Sequence, residues 1–168
     1  MKMLIHDLPE QQLSQIYNPT DALKLDVVTN NGSIRKCVGC FGCWTRTPGV
    51  CIIRDEYQHM GERLSKIDEL IIVSECMYGS YSPFVLNVLN RSISYVLPYF
   101  VTKNGETHHK QRYKNRFALS VHFYGEDIME NEKETAKKLV AANSLNWAST
   151  NNSVFFHTHA QDVRGMLQ

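Results

Sequence analysis

Four short apolar runs, Met3-Leu4-Ile5, Leu70-Ile71-Ile72-Val73, Phe117 to Phe123 and Val154-Phe155-Phe156, recur along the chain with polar or turn residues on either side. Such runs leave little polar face for water, so they read as strands buried on both faces, as in a parallel sheet between helical layers. A weaker alternation, Leu23, Leu25 and Val27 with Lys24 and Asp26 between them, reads as an edge strand and makes five. The chain has 168 residues, 43% of them hydrophobic, which suits one domain over residues 1–168 with a single core.

Helical patterns fall between the runs. Tyr57, Met60, Leu64 and Ile67 keep one face of a helix that ends at Asp68-Glu69. Ser82-Pro83 reads as an N-cap and a first-turn proline, opening a helix through Val85, Leu86, Leu89, Ile93 and Val96 that Pro98 ends. A third helix starts near Asp127 or Asn131, each followed by Glu three residues on, and runs to about Trp147. Leu13 to Tyr17 allows one or two turns before Asn18-Pro19. Strands alternating with helices point to an α/β fold with a parallel sheet, most simply five strands in the order 2-1-3-4-5. Ligands in such folds bind beyond the carboxyl ends of the strands, so the residues just after strands one, three and four come under scrutiny.

Several function classes drop out. Eighteen Lys plus Arg against 17 Asp plus Glu leave a net charge of +1, with no global field to steer a nucleic acid. No apolar stretch reaches the length of a membrane span, and Met1 to Glu10 lacks the apolar core of a signal peptide, so a cytoplasmic location is expected. Neither GxGxxG nor GxxxxGK[ST] occurs.

Five cysteines without an export signal argue against a disulfide framework. Cys37, Cys40, Cys43 and Cys51 form C-x2-C-x2-C-x7-C on a Gly-rich loop. Thiolates so spaced can converge on a soft ion or cluster, and the first three match the opening of a ferredoxin run. Reduced thiols in a turn-rich loop, an iron-sulfur cluster, zinc and a redox disulfide all stay open. A second segment, Ser74 to Pro83, joins the most apolar strand to a capped helix through a tight turn at Gly79, where backbone amides can face a flat ligand.

Those two segments resemble the flavodoxin-like NAD(P)H-dependent FMN reductase family, including its iron-sulfur flavoprotein branch. Lys36 to Trp44, Pro48-Gly49-Val50-Cys51 and Asp55 follow the pattern C-x-G-C-x-x-C-W, P-G-x-C and an acidic residue. Ser74 to Arg91 keeps Ser74, Gly79, Ser82 and Arg91, with Glu75 in place of a proline, the aromatic shifted to Tyr78 and Asn90 for an aspartate. The resemblance implies a flavodoxin-like three-layer sandwich with FMN as cofactor, NAD(P)H as co-substrate and electron transfer to a flavin, quinone or similar small acceptor. It implies a homo-oligomer, with no nucleic acid or membrane partner. By position it places the flavin ring against Glu75, Cys76, Met77, Tyr78 and Gly79, and against Phe123, Tyr124 and Gly125. Hydride chemistry belongs to the cofactor, so no catalytic side chain is required. The branch implies a [4Fe-4S] cluster on Cys37, Cys40, Cys43 and Cys51.

One departure from the family pattern stands out. The phosphate-holding loop after strand one reads His6-Asp7-Leu8-Pro9-Glu10, with two carboxylates and a residue without an N–H. Phosphate would then be held from elsewhere, for instance by Asn30, Asn31, Gly32, Ser33 and Arg35, or the flavin would bind weakly or not at all. Two alternatives therefore stand beside the reductase: an iron-sulfur flavoprotein electron carrier, and a cofactor-free flavodoxin-like protein that has lost the phosphate loop. The basic stretch Lys103 to Arg116, with His108 and His109, reads as a solvated loop, and His122, His157 and His159 read as structural strand-end groups.

Overall fold

The computed structural model describes residues 1–17, 25–103 and 105–164. Its elements run β1 (Lys2–His6), α1 (Glu10–Ile16), β2 (Leu25–Val28), α2 (Gly42–Thr45), α3 (Met60–Leu64), β3 (Glu69–Glu75), α4 (Pro83–Arg91), a 3-10 turn (Ser92–Tyr95), β4 (Val96–Lys103), β5 (Glu106–Gln111), β6 (Ala118–Tyr124), α5 (Glu130–Trp147), β7 (Asn152–His157) and a second 3-10 turn (Ala160–Val163). Five strands form one parallel sheet in the order β2-β1-β3-β6-β7. This is the expected flavodoxin-like 2-1-3-4-5 arrangement. Leu23 of the expected edge strand and Asn18-Pro19 lie outside the described residues.

The two faces of the sheet are covered unequally, because strand residues alternate sides. Met3, Ile5, Leu70, Ile72, Leu119, Val121 and Phe123 face a large core closed by Met60 and Leu64 of α3, Val85 and Val88 of α4, and Ala136 and Val140 of α5. Leu4, Ile71 and Val73 face a smaller cluster built with Leu8, Ile16 of α1, Ala160 and Val163. The central strands are thus enclosed on both sides, as their apolar runs require.

Helix boundaries differ from the sequence reading in instructive ways. Tyr57, Met60, Leu64 and Ile67 are all buried as expected, yet only Met60–Leu64 is α-helical. Ser82 does cap α4, its Oγ accepting from the Val85 amide at 3.4 Å with Pro83 in the first turn. The helix stops at Arg91, however, and Pro98, expected to end it, sits inside β4. The stretch Lys103 to Arg116 is a loop only in part: β4 and β5 (Glu106–Gln111) pair antiparallel between α4 and β6, and residues 112–116 are irregular. The second strand of the pair, Glu-Thr-His-His-Lys-Gln, has no apolar alternation, so pattern alone could not show it. Adjacent His108 and His109 point to different partners. The first contacts Asn146 Oδ1 of α5 at 3.0 Å, and the second contacts the Leu97 carbonyl at 2.7 Å.

Candidate functional site

The strand order reverses between β1 and β3, and the carboxyl ends of β1, β3 and β6 meet there in register, with His6 beside Val73, Val73 beside His122, and Glu75 beside Tyr124. Asp7, the first residue after β1, turns its carboxylate across all three strand ends. Its Oδ2 accepts from the Glu75 amide at 2.9 Å and lies 3.3 Å from the Ser74 hydroxyl, while its Oδ1 accepts from the Tyr124 hydroxyl at 2.9 Å. Burial, followed by the Asp7 charge, pushes the Tyr124 phenol well above its ordinary range, so it stays protonated and donates. The sequence showed the carboxylate at this place. It did not show that Tyr124, 117 residues away, would bind it.

The loop after β3 forms a tight hairpin turn. Met77 and Ser80 exchange two backbone hydrogen bonds of 2.9 Å, and the two residues between them, Tyr78 and Gly79, have φ of 54° and 77°. Positive φ at both central positions matches a type I′ turn, in which glycine is at ease and tyrosine is strained. The turn holds the Tyr78 side chain out into solvent, 87% exposed, beside the switch point. The bare side of Gly79 faces a neighbouring helix. A Cβ there would lie 2.7 Å from the Glu132 carbonyl oxygen and 2.8 Å from Thr135 Cβ, so its bare side admits the close approach of α5.

The remaining ring-site residues divide. The Cys76 amide donates to the Tyr124 carbonyl at 2.9 Å and the Gly125 amide to the His157 carbonyl at 3.1 Å, which joins these loops at the sheet's carboxyl edge. Glu75 is exposed and Met77 partly so. Phe123 is not available at the surface: it is fully buried, with ring centroids 5.3 Å from Tyr81 and 5.9 Å from Phe156. Of Asn30, Asn31, Gly32, Ser33 and Arg35, the other candidate phosphate holders, Arg35 is exposed with its amide donating to Asp55 Oδ2 at 3.2 Å, and two amides of the loop are taken up within it. The Gly32 and Ser33 amides donate to Asn30 Oδ1 and Asn31 Oδ1 at 3.0 and 2.9 Å.

The cysteine loop lies elsewhere, over the outer layer. Cys37, Cys40, Cys43 and Cys51 line a cavity of about 530 Å³ between α4 and α5, with apolar walls that include Leu86, Leu89 and Trp147. Cys43 is buried, and burial followed by the neighbouring Cys51 and Cys37 thiols raises its pKa. Among the described residues, no three His, Cys, Asp or Glu side chains are placed to hold one metal ion. On the opposite face of the sheet, His122 Nδ1 lies 3.0 Å from His157 Nε2 and the His122 Nε2 lies 3.1 Å from the Ser120 hydroxyl. His122 also stacks on Phe155, a contact set that sequence spacing does not reveal.

No protein-family profile matches the chain, and no curated protein matches its sequence. Solved structures do match. Azoreductase AzrA superposes with a TM-score of 0.57 at 11% identity, over 99% of this chain and 93% of its own. A Klebsiella pneumoniae protein described as a quinone reductase gives 0.49 at 11% identity, over 94% of this chain and 75% of its own. No helix among the described residues is long and apolar enough to cross a membrane. From sheet order and superposition together, the chain has the flavodoxin-like fold and shares it with an azoreductase over nearly its whole length.

Proposed function

We propose that this protein is a flavin-dependent oxidoreductase that carries electrons from NAD(P)H to a small acceptor such as a flavin or a quinone. The observation that carries this reading is the Met77–Ser80 turn, which holds an aromatic side chain in strained backbone geometry, open to solvent, at the switch point of a flavodoxin-like sheet. Strain of this kind persists where surrounding structure over-determines it, and such places are commonly functional. The shared fold with an azoreductase adds to it.

The residues fit the ring of a flavin better than its phosphate. Tyr78 offers a flat, exposed face, whereas Asp7 already engages the donors that an anion at the strand ends would use. A bound flavin would supply the hydride-accepting chemistry. The chain would orient the ring by stacking and shield one of its faces, with no side chain required to take a proton.

The test is anaerobic NAD(P)H oxidation with added flavin and a quinone acceptor, alongside flavin fluorescence titration. Turnover that falls about tenfold or more in Tyr78→Ala, with the melting temperature retained, supports the assignment. Absence of flavin binding and of turnover in the wild type overturns it.

The cysteine loop supports a second reading, an electron carrier with an iron-sulfur cluster, because all four thiols border one cavity. Since no ready-made ion site exists among the described residues, the loop would have to close around a cluster. Iron and acid-labile sulfide both absent after anaerobic reconstitution would exclude it.

A further inference from the structure

Resting on the flavin reading above, we propose that Asp7 is a built-in anion that fills the place of a flavin phosphate, so that the site selects an unphosphorylated ring system such as riboflavin. Three observations converge on this. The first is position: Asp7 follows β1 at the point where strand order reverses, the place at which folds of this topology seat FMN.

The second is the saturation of donors. At the strand ends the Glu75 amide and the Tyr124 hydroxyl each lie 2.9 Å from the Asp7 carboxylate, and the Ser74 hydroxyl lies 3.3 Å from it. The Ser74 hydroxyl is shared with the Glu75 carbonyl at 3.0 Å. A phosphate arriving here would find its donors already engaged by a charge of its own sign. Pro9 opens α1 without an N–H, and α1 has only seven residues, so the helix offers no substitute.

The third is that the other candidate loop, after β2, has no free Gly32 or Ser33 amide to offer, since it directs both to its own asparagines. Glu75, whose amide donates to Asp7 and whose charge acts on Tyr124, adds a second carboxylate at the strand ends. Like charges at short range in a partly desolvated site oppose anion binding. A neutral ring system, by contrast, meets no such opposition at Tyr78.

The experiment titrates wild type, Asp7→Asn and Asp7→Ser with riboflavin and with FMN by fluorescence quenching, and melts each protein with and without inorganic phosphate. Wild type should bind the two flavins within about threefold of each other, and its melting temperature should not respond to phosphate. Both variants should come to prefer FMN by about tenfold or more, and Asp7→Ser should be stabilised by phosphate. Wild-type FMN affinity more than tenfold above that of riboflavin overturns the proposal, whatever the variants do. So does an unchanged flavin ratio in folded variants.

The phosphate arm separates the two ideas. If wild type binds neither flavin, the flavin reading falls. Phosphate stabilisation of Asp7→Ser but not of wild type then still upholds the role of Asp7, and its absence overturns that too.

Discussion

Arg91 and Asp55 meet as a two-pronged ion pair, with Nη1 donating to Oδ2 and Nη2 to Oδ1, both at 2.7 Å. The Arg91 side chain is wholly enclosed and that of Asp55 is 6% exposed. The same guanidinium donates to the Arg35 carbonyl at 2.8 Å and the Ile53 carbonyl at 3.1 Å. Asp55 in turn accepts from the amides of Arg35 and Tyr57 at 3.2 and 3.0 Å. One pair therefore fastens the end of α4 to both flanks of the cysteine loop. Burial is the largest influence on the Asp55 carboxyl and works against its ionised form, but the Arg91 hydrogen bonds and charge together with the Arg35 and Tyr57 amides outweigh it and hold its pKa below the usual carboxylate value.

Breaking this pair should be costly. Asp55→Asn leaves a buried guanidinium without its counter-charge, and the expected loss is about 3–5 kcal/mol. Replacing both partners by apolar residues of similar size should lose much less, because no unpaired charge remains. Urea unfolding of the single and double variants checks this; an Asp55→Asn protein within about 1 kcal/mol of wild type contradicts it.

The sheet was legible because its information is local. The apolar run Leu70 to Val73 reads as a strand enclosed on both faces, and order and direction follow from alternation with helices. What stayed hidden depends on distance along the chain. Asp55 and Arg91 are 36 residues apart, and Asp7 and Tyr124 are 117 apart; no periodicity links such partners. The β4–β5 hairpin was missed because β5 carries two histidines and charged residues where alternation would have marked a strand. Gly79 was legible as a turn residue, but its reason is a neighbour in space, the Glu132 carbonyl of α5.

Gly79→Ala should destabilise the fold directly. The new methyl group would meet backbone at 2.7 Å and adopt φ near +77°, so overpacking and left-handed strain add. A loss of about 3 kcal/mol is expected by thermal or urea unfolding. A variant with wild-type stability would mean that α5 can move away at this point.

Tyr78→Gly should move stability and binding in opposite directions. At φ of 54° a tyrosine bears strain that glycine does not, and its side chain is almost fully exposed, so little packing is lost. Glycine's extra freedom in the unfolded chain offsets part of the gain, leaving about 0.5–1 kcal/mol of stabilisation. Flavin affinity should fall in the same protein. A higher urea midpoint with unchanged flavin affinity would show that Tyr78 is not the stacking face.

Acid sensitivity should appear in two separate limbs. Burial, then the proximity of His157, lowers the His122 pKa from 6.5 to about 4, and burial also lowers those of His6 and His157. The unfolded chain takes up these protons near pH 6.5 whereas folded His122 resists until about pH 4. Stability is therefore flat above about pH 7 and falls as pH drops from 6.5 towards 4, with His122 contributing up to about 1.4 kcal/mol per pH unit over that span. Asp55 acts in the other window: its pKa is depressed from 3.8, so the stability it gives is present above 3.8 and is lost as pH falls through its folded value. Urea midpoints measured from pH 8 to pH 3 should show the histidine limb first. His122→Gln, which removes the titrating ring, should flatten that limb by about one proton while leaving the lower limb in place. A midpoint unchanged between pH 7 and pH 4.5 in the wild type would mean that these histidines open to water and protonate without cost to the fold.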